Sequence, residues 1–308
     1  MYGRVTQGTI TNQLLRNINV NLKQSQSLQE KLSTGRNINR PSDDPVGITY
    51  ALRYRSDLAV NDRYLSNVDS AASQLDFNDT MLTQVNDVLK RVKELAVNGA
   101  NGTNPLVAMN NIALEMEQLK EQLIDIANTQ FKGKYIFNGQ FTDTKPYDPN
   151  DPNKGVTDPG KLEYIISTGV KMSVNLSGNE VFGYPAASTG VTSTINEEDN
   201  IFNVLDNMIN ALRAGVHSDV NSQIALLETR MDKVLTQQAE VGSRVNRLEL
   251  MQERLKDLSV NLETLQSLTE DIDIEDVIIR SKVNESIYQA SLSVGSKIIQ
   301  PTLIDFLR

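Results

Sequence analysis

The feature that most constrains this sequence is a heptad repeat that runs through six consecutive heptads from Ile224 to Leu262. All of its d positions are apolar, whereas only half of its a positions are. A stripe with a period of 3.5 residues is typical of a helix that packs along a second helix. At about 1.5 Å per residue, a helix from Ile224 to Thr269 would be roughly 70 Å long. The repeat therefore predicts long paired helices rather than a rounded globular domain.

Matching stripes occur earlier in the chain. The same spacing runs through residues 58–89, with interruptions at Asn61, Asp79 and Asn86, and again without a break from residue 109 to residue 126. These stripes predict that both halves of the chain meet in one elongated bundle. The candidate seam residues are Leu58, Leu65, Leu75, Leu82 and Leu89 in the first half, and Leu227, Val234, Val241, Leu248, Leu255 and Leu262 in the second.

The middle of the chain is different in kind. Residues 132–198 are rich in proline, and strand-like segments begin at Tyr135, Leu162 and Val170 with turns between them. The expected fold class is mainly α with a β-rich insertion, in which both chain ends form an elongated helical bundle and the middle forms a small β domain. The expected division is residues 1–45 and 273–308 as the two parts of a terminal helical domain, 46–131 and 199–272 as the two parts of the helical bundle domain, and 132–198 as a β-rich outer domain.

Composition excludes several classes of function. The chain has 30 Lys and Arg against 39 Asp and Glu, a net charge of −9 and no basic stripe, which argues against a nucleic-acid partner. It contains no cysteine, so disulfides, thiolate metal sites and cysteine nucleophiles are excluded. The sequence shows no secretory signal and no apolar stretch of membrane-spanning length. We therefore expect no membrane insertion, and any route out of the cell would need an export system that does not use a cleaved signal peptide.

Catalytic chemistry finds no support in the sequence. His217 is the single histidine, and no third group that would orient it as a base is recognisable, so it is interpreted as a solvated loop residue. The acidic cluster of residues 270–276 precedes an apolar run, and we interpret it as the start of a helix rather than as a metal site. A calcium loop counted from Asp148 is excluded because Pro152 occupies a ligand position. We expect no enzyme activity, no catalytic residue, no cofactor and no metal.

Two segments carry a family resemblance. Residues 32–47, LSTGRNINRPSDDPVG, resemble the signature near the N-terminus of bacterial flagellins and flagellin-like proteins. Residues 89–103 are similar to the flagellin segment that leads into an Asn-Gly-Thr turn. The resemblance covers roughly residues 1–135 and 200–308. It implies that the two chain ends form paired helices in the core of a polymer and that the middle faces outward.

Within that family, three features are more similar to hook-associated members than to filament flagellin. They are the start of the chain at residues 4–12, the prolines of Arg40-Pro41-Ser42-Asp43-Asp44-Pro45, and residues 133–147 together with the C-terminal residues 300–308. The Glu275-Asp276 pair also lacks the Ala-Asp-Tyr that follows an acidic pair in flagellins. The resemblance therefore implies a structural adaptor that joins the hook-associated zone to the flagellin filament and is required for filament assembly and motility. Filament flagellin, or a surface adhesin on a flagellin scaffold, remains the alternative.

The resemblance also implies partners and contact residues. We expect an extracellular homo-oligomer in the flagellum, with another hook-associated protein on the hook side, flagellin on the filament side and a flagellar export chaperone. The expected subunit-contact residues are Leu14, Ile18, Leu28, Leu32, Ile287, Val294, Ile298, Leu303 and Phe306.

Overall fold

The computed structural model describes residues 7–155, 157–185 and 198–299. Long α-helices dominate, and the strands are few and short, which confirms the expected fold class. In chain order the elements are α1 (Gln7–Thr34), α2 (Pro45–Gly99), α3 (Leu106–Ala127), β1 (Gln130–Phe131), β2 (Lys134–Tyr135), a 3-10 turn (Pro152–Lys154), β3 (Glu163–Ser167), β4 (Val170–Ser173), α4 (Gly178–Phe182), α5 (Ile201–Ala214), α6 (His217–Glu270) and α7 (Ile274–Ile299).

Local sequence signals explain where the helices begin and end. Proline is favoured in the first turn of a helix, and α2 begins at Pro45. The side chain of Asn200 accepts a hydrogen bond from the backbone NH of Asn203 and so caps the start of α5. The same helix ends at Gly215, which takes the left-handed conformation with a φ of 75°.

The described residues fall into two compact units. The first unit contains residues up to Val60 and from Asp257 onward, and the second contains Asn61–Lys256. Both divisions fall inside helices, because α2 and α6 each continue across them without a break. This division differs from the sequence-based one, which placed boundaries near residues 45 and 272. The five-part division remains a prediction.

The second unit is built on an antiparallel pair of α2 and α6. Asp69 of α2 accepts a hydrogen bond from Gln252 of α6 at 2.6 Å, and Lys93 near the end of α2 pairs with Glu228 near the start of α6 at 2.8 Å. Helix α3 runs against α5, and Lys120 of α3 pairs with Asp206 of α5. The resulting core is one continuous apolar cluster that includes the seam residues of both stripes.

Two short antiparallel hairpins lie in this part of the chain, β1 with β2 at the start of the insertion and β3 with β4 inside it. The first hairpin turns at Lys132 and Gly133, whose φ angles of 50° and 79° are those that a tight two-residue turn requires. Much of the remaining backbone is satisfied by asparagine side chains. Asn175, for example, donates to the carbonyl of Gly160 at 2.7 Å and accepts from the NH of Leu162 at 2.8 Å. Asparagine can do this because its amide carries both a donor and an acceptor.

The insertion shares its interior with the helical bundle. Phe137, Tyr147 and Phe182 from the insertion are buried in the same apolar cluster as Phe202 of α5. Their rings meet at centroid distances between 5.2 and 5.6 Å, within the range of favourable aromatic pairs. Because burial raises the pKa of the Tyr147 phenol, that ring stays neutral. The insertion therefore contributes side chains to the same core as the helices of the second unit.

Candidate subunit-contact surfaces

The first unit is closed by a loop that joins α1 to α2. The backbone NH of Asn37 donates to the carbonyl of Glu270 at 2.6 Å, and the NH of Ile272 donates to the carbonyl of Gly35 at 3.2 Å. Arg36 and Asp271 form an antiparallel bridge between these two bonds. The loop after α1 and the joint between α6 and α7 are therefore held together by main-chain hydrogen bonds.

A buried carboxylate lies at the centre of this joint. The side chain of Glu270 is buried and accepts a hydrogen bond from Arg55 of α2, while the Nε atom of Arg36 lies 3.8 Å from its carboxylate. The bond to Glu270 raises the pKa of the Arg55 guanidinium. Removing one partner of a buried ion pair leaves a costly unpaired charge, so this group fixes the position of α2 relative to the end of α6 within the unit.

The consecutive aspartates of the signature segment have different roles. Asp44 accepts hydrogen bonds from the NH groups of Val46 and Gly47 at 3.0 and 2.9 Å and so caps α2. Asp43 instead accepts from the NH groups of Asn39 and Arg40 at 3.1 and 2.8 Å. These backbone hydrogen bonds hold the pKa of Asp43 below its usual value, and the bond from Arg40 has the largest effect. The two carboxylates therefore shape the loop and the start of α2.

Gly47 permits the loop to close against α2. A Cβ atom at this position would lie 2.6 Å from the Cδ1 atom of Ile38, which is buried. A side chain larger than hydrogen would therefore push Ile38 out of its position. The signature segment is thus explained by folding requirements of the first unit.

Helices α1 and α7 pack along each other. The side chain of Asn284 donates to the backbone carbonyl of Asn21 at 3.0 Å, and Leu14 lies close against Gly295. Leu28 is buried, and Leu14, Ile18 and Leu32 on the same helical face are half-buried. Their spacing places these four residues on one face of α1, and Leu14 of this face contacts α7 of the same chain. Their expected contacts with other subunits remain a prediction.

Helix α7 also carries an apolar stripe that faces solvent. Ile279, Val283, Ile287 and Val294 are exposed, and Val283 keeps 53% of its accessible surface. They repeat at spacings of four and seven residues, which places them on one face, whereas Val277, Asn284 and Gly295 lie buried on the other. Ile287 and Val294 were expected contact residues. The side chain of Ile298, and Leu303 and Phe306, lie outside the described residues.

The seam residues of the second unit lie in its core. Buried members are Leu75, Leu82 and Leu89 on α2, and Leu227, Val234, Val241, Leu248 and Leu255 on α6. Leu65 is half-buried, as are Leu58 and Leu262 in the first unit. Some polar interruptions of the stripes meet one another: Asn86 donates to Gln238 at 2.9 Å, and Gln238 donates to Asp79 at 3.2 Å. Asn61 donates instead to the backbone carbonyl of Leu255 at 2.9 Å.

Besides the pair of Arg55 and Glu270, sequence reasoning missed a second buried charge pair. Arg230 of α6 is 1% exposed and donates to the carboxylate of Asp199 at 2.8 Å and to the Asp199 carbonyl at 3.0 Å. It also reaches the carbonyl of Glu180 at 3.3 Å, so it joins α6 to the end of the insertion. Arg230 occupies an ordinary position in the heptad pattern, and no local signal marks it as buried.

The groups considered for catalysis or metal binding have structural roles. His217 begins α6, where its Nδ1 atom lies 2.9 Å from the carbonyl of Gly99, and is not a loop residue as expected. Asp273 accepts hydrogen bonds from the NH groups of Glu275 and Asp276 at the start of α7, as the helix interpretation requires. Within the described ranges, no three His, Cys, Asp or Glu side chains are grouped to hold a metal ion. None of the described helices has an apolar run long enough to cross a bilayer.

Comparison with known proteins finds family matches for the helices at both ends of the chain. Residues 5–142 match the bacterial flagellin N-terminal helical region, and residues 224–307 match the bacterial flagellin C-terminal helical region. The chain is 26% identical over 274 residues to flagellar hook-associated protein 3 of Escherichia coli, covering 85% of this chain and 86% of that protein. It is also 26% identical to a flagellin of Bacillus subtilis, covering 90% of each chain.

Among solved structures, the fold is similar to that of a putative flagellar hook-associated protein from Vibrio parahaemolyticus. The two share a TM-score of 0.65 at 21% sequence identity, covering 74% of this chain and 99% of that chain. At this identity the likeness establishes the shared fold.

Proposed function

This chain belongs to the bacterial flagellin family, and from that premise we propose that it is the structural adaptor that joins the hook-associated zone of the flagellum to the flagellin filament. The family is one of structural flagellar proteins and not of enzymes. The observation that carries the proposal is the fold shared with a hook-associated protein over nearly the whole of that protein. The relative in Escherichia coli is also named as a flagellar hook-associated protein.

The exposed stripe on α7 supports an assembly role. Apolar side chains that remain exposed along one helix face are a frequent mark of protein interfaces. In the proposed assembly, this stripe contacts neighbouring copies, and unlike neighbours lie above and below in head-to-tail contacts. The proposed neighbours are another hook-associated protein on the hook side and flagellin on the filament side, and an export chaperone holds the chain before its export to the exterior.

A complementation assay tests the role of the stripe. In a strain that lacks this gene, the variant Val283→Asp should fail to restore filaments and swimming, because it places a charge at the interface. The control is Val107→Asp on α3, where the same residue type is 72% exposed in the second unit. Both purified variants should melt at the temperature of the unaltered chain. Normal filaments with Val283→Asp would show that the stripe does not lie in a subunit interface.

Seeded polymerisation separates the adaptor from filament flagellin. Identity does not distinguish them, since both relatives are equally identical to this chain. A flagellin should extend filament fragments into long filaments by itself, whereas an adaptor should stop after limited addition. Long filaments of this chain alone in electron micrographs would establish the flagellin alternative.

A further inference from the structure

The sequence contains three Asn-Gly pairs, at Asn98, Asn101 and Asn138. In such a pair the backbone nitrogen of glycine can reach the side-chain carbonyl carbon of asparagine, because glycine has no Cβ atom and a wide range of φ and ψ. Attack by that nitrogen is the first step of spontaneous asparagine deamidation. Whether it occurs depends on how firmly each pair is held.

Asn138 is held on every side. Its amide nitrogen donates to the carbonyls of Phe141 and Thr144, both at 3.0 Å, and its oxygen accepts from the NH of Asp158 at 3.3 Å. The following Gly139 is buried, and a Cβ there would lie 2.1 Å from the carbonyl of Asp158. The side chain cannot rotate toward the glycine nitrogen without breaking these bonds.

Asn98 is held by its helix. It lies in the last turn of α2, so Gly99 takes part in helical backbone geometry. The side-chain oxygen of Asn98 accepts from the amide of Asn104 at 3.0 Å, and since Asn101 also has donors at its side-chain oxygen, the two sites differ in how the glycine is held. Gly99 is buried, and a Cβ at its position would lie 2.5 Å from a methyl group of Leu212. The helix keeps its nitrogen away from the asparagine side chain.

Asn101 differs from both. It is exposed in the loop between α2 and α3, and a Cβ on Gly102 would meet nothing within 4 Å. Its side-chain oxygen accepts from the hydroxyl of Thr103 at 3.1 Å and from the NH of Thr103 at 3.3 Å. Donors placed at a carbonyl oxygen stabilise the negative charge that develops there when a nucleophile adds to the carbon.

We propose that Asn101 is a modification site at which the chain deamidates spontaneously while the pairs at Asn98 and Asn138 are preserved. The nitrogen of Gly102 loses its proton and forms a bond to the Cγ atom of Asn101, and the side-chain nitrogen leaves as ammonia to give a cyclic imide. Water then opens the imide at either carbonyl and yields aspartate or isoaspartate. Each event adds one negative charge to a chain of net charge −9.

Peptide mass mapping of the full chain tests the proposal. The chain is incubated in mildly alkaline buffer, and the acid form of each Asn-Gly peptide is measured over time. Asn101 should convert at least about tenfold faster than Asn138, since several hydrogen bonds must break before Asn138 can react. In denaturant the three sites should react at similar rates. Equal rates in the folded chain, or faster conversion of Asn138, would overturn the proposal.

Two variants test the geometry directly. Gly102→Ala places a methyl group in open space and should slow conversion at Asn101 without lowering the melting temperature. Thr103→Val keeps the shape of the side chain but removes the hydroxyl donor, and it should slow conversion as well. An unchanged rate in Gly102→Ala would overturn the proposal, since this nitrogen would not be the nucleophile. An unchanged rate in Thr103→Val would contradict the proposed activation of Asn101 by the hydroxyl. These measurements use the isolated chain and do not depend on the proposed flagellar role.

Discussion

At the scale of single residues, the seam between α2 and α6 depends on side chains with no contact with water. Leu248 is fully buried, whereas Leu250, two residues later on the same helix, is 70% exposed. Leu248→Asp should lower the free energy of unfolding by about 4 kcal/mol or more, because an unpaired charge would be buried. Leu250→Asp is the matched control and should change it by less than about 1 kcal/mol. Similar losses in urea denaturation would contradict this view of the seam.

The buried pair of Arg230 and Asp199 allows a second contrast. Arg230→Leu should cost about 3 kcal/mol of stability, because the carboxylate of Asp199 stays buried after its main partner is removed. Arg91→Leu removes the same side chain from exposed ion pairs with Glu94 and Glu115 and should cost much less stability, because solvent and salt screen exposed pairs. Denaturant titration of both variants measures the difference. A larger loss of stability in Arg91→Leu than in Arg230→Leu would show that burial does not determine how much these ion pairs stabilise the fold.

The stability of the first unit should depend on pH through the carboxylate of Asp43. Its pKa is lowered in the folded chain by backbone hydrogen bonds from Arg40 and Asn39, so its stabilisation is complete above the unfolded value near 3.8 and is lost as pH falls through the lower folded value. Asp43→Asn should therefore melt below the unaltered chain at neutral pH. Thermal melts at decreasing pH should show this difference narrowing only below about 3.8. A difference that stays constant under acid would exclude this carboxylate as its source.

At the scale of elements, the helices differ in how much of their surface they bury. Among the described side chains of α1 only Leu28 is buried, and in α7 only Val277, Asn284 and Gly295 are. Local opening costs least where few apolar contacts hold an element. In the isolated chain, amide hydrogens of α1 and α7 should therefore exchange faster than those of α2 and α6 within Asn61–Lys256. Equal protection of all four helices would show that the pair of α1 and α7 is stable without neighbouring subunits.

At the scale of the second unit, the insertion and the bundle should unfold together. Deletion of residues 140–195 removes Tyr147, Ile166 and Phe182, which are fully buried. Truncation of one such side chain costs about 2 to 5 kcal/mol, and whole domains are stable by only about 5 to 15 kcal/mol. The deleted chain should lose cooperative melting. Survival of a cooperative transition would mean that the bundle has a core of its own.

A milder pair of variants checks the same point within the intact chain. Ile166→Ala should lower the melting temperature of the whole unit, because Ile166 belongs to the shared core. Its neighbour Ile165 is 48% exposed, and Ile165→Ala should have little effect. Probes in the insertion and in α6 should report the same transition in both variants.

The sequence by itself determined the helices and the side each one buries in the second unit. Heptad spacing marked Leu227 to Leu255, and every d position in that range is buried in the structure. Periodicity, caps and breakers act between residues a few positions apart, so they can be read without knowing the fold. The family resemblance rested on the same kind of local information, since the signature segment is a cap and a loop.

Only the tertiary structure decided which distant groups meet. Arg55 and Glu270 are 215 positions apart, and no sequence pattern near either residue predicts that they form an ion pair. The same holds for Arg230 and Asp199, and for the aromatic side chains that the insertion adds to the bundle. The stripe of α1 could have packed against another subunit as well as against α7. An apolar helix face predicts that another surface will cover it, but it does not predict which surface. Burial and pairing are properties of the packed chain, and they are settled only when the elements come together.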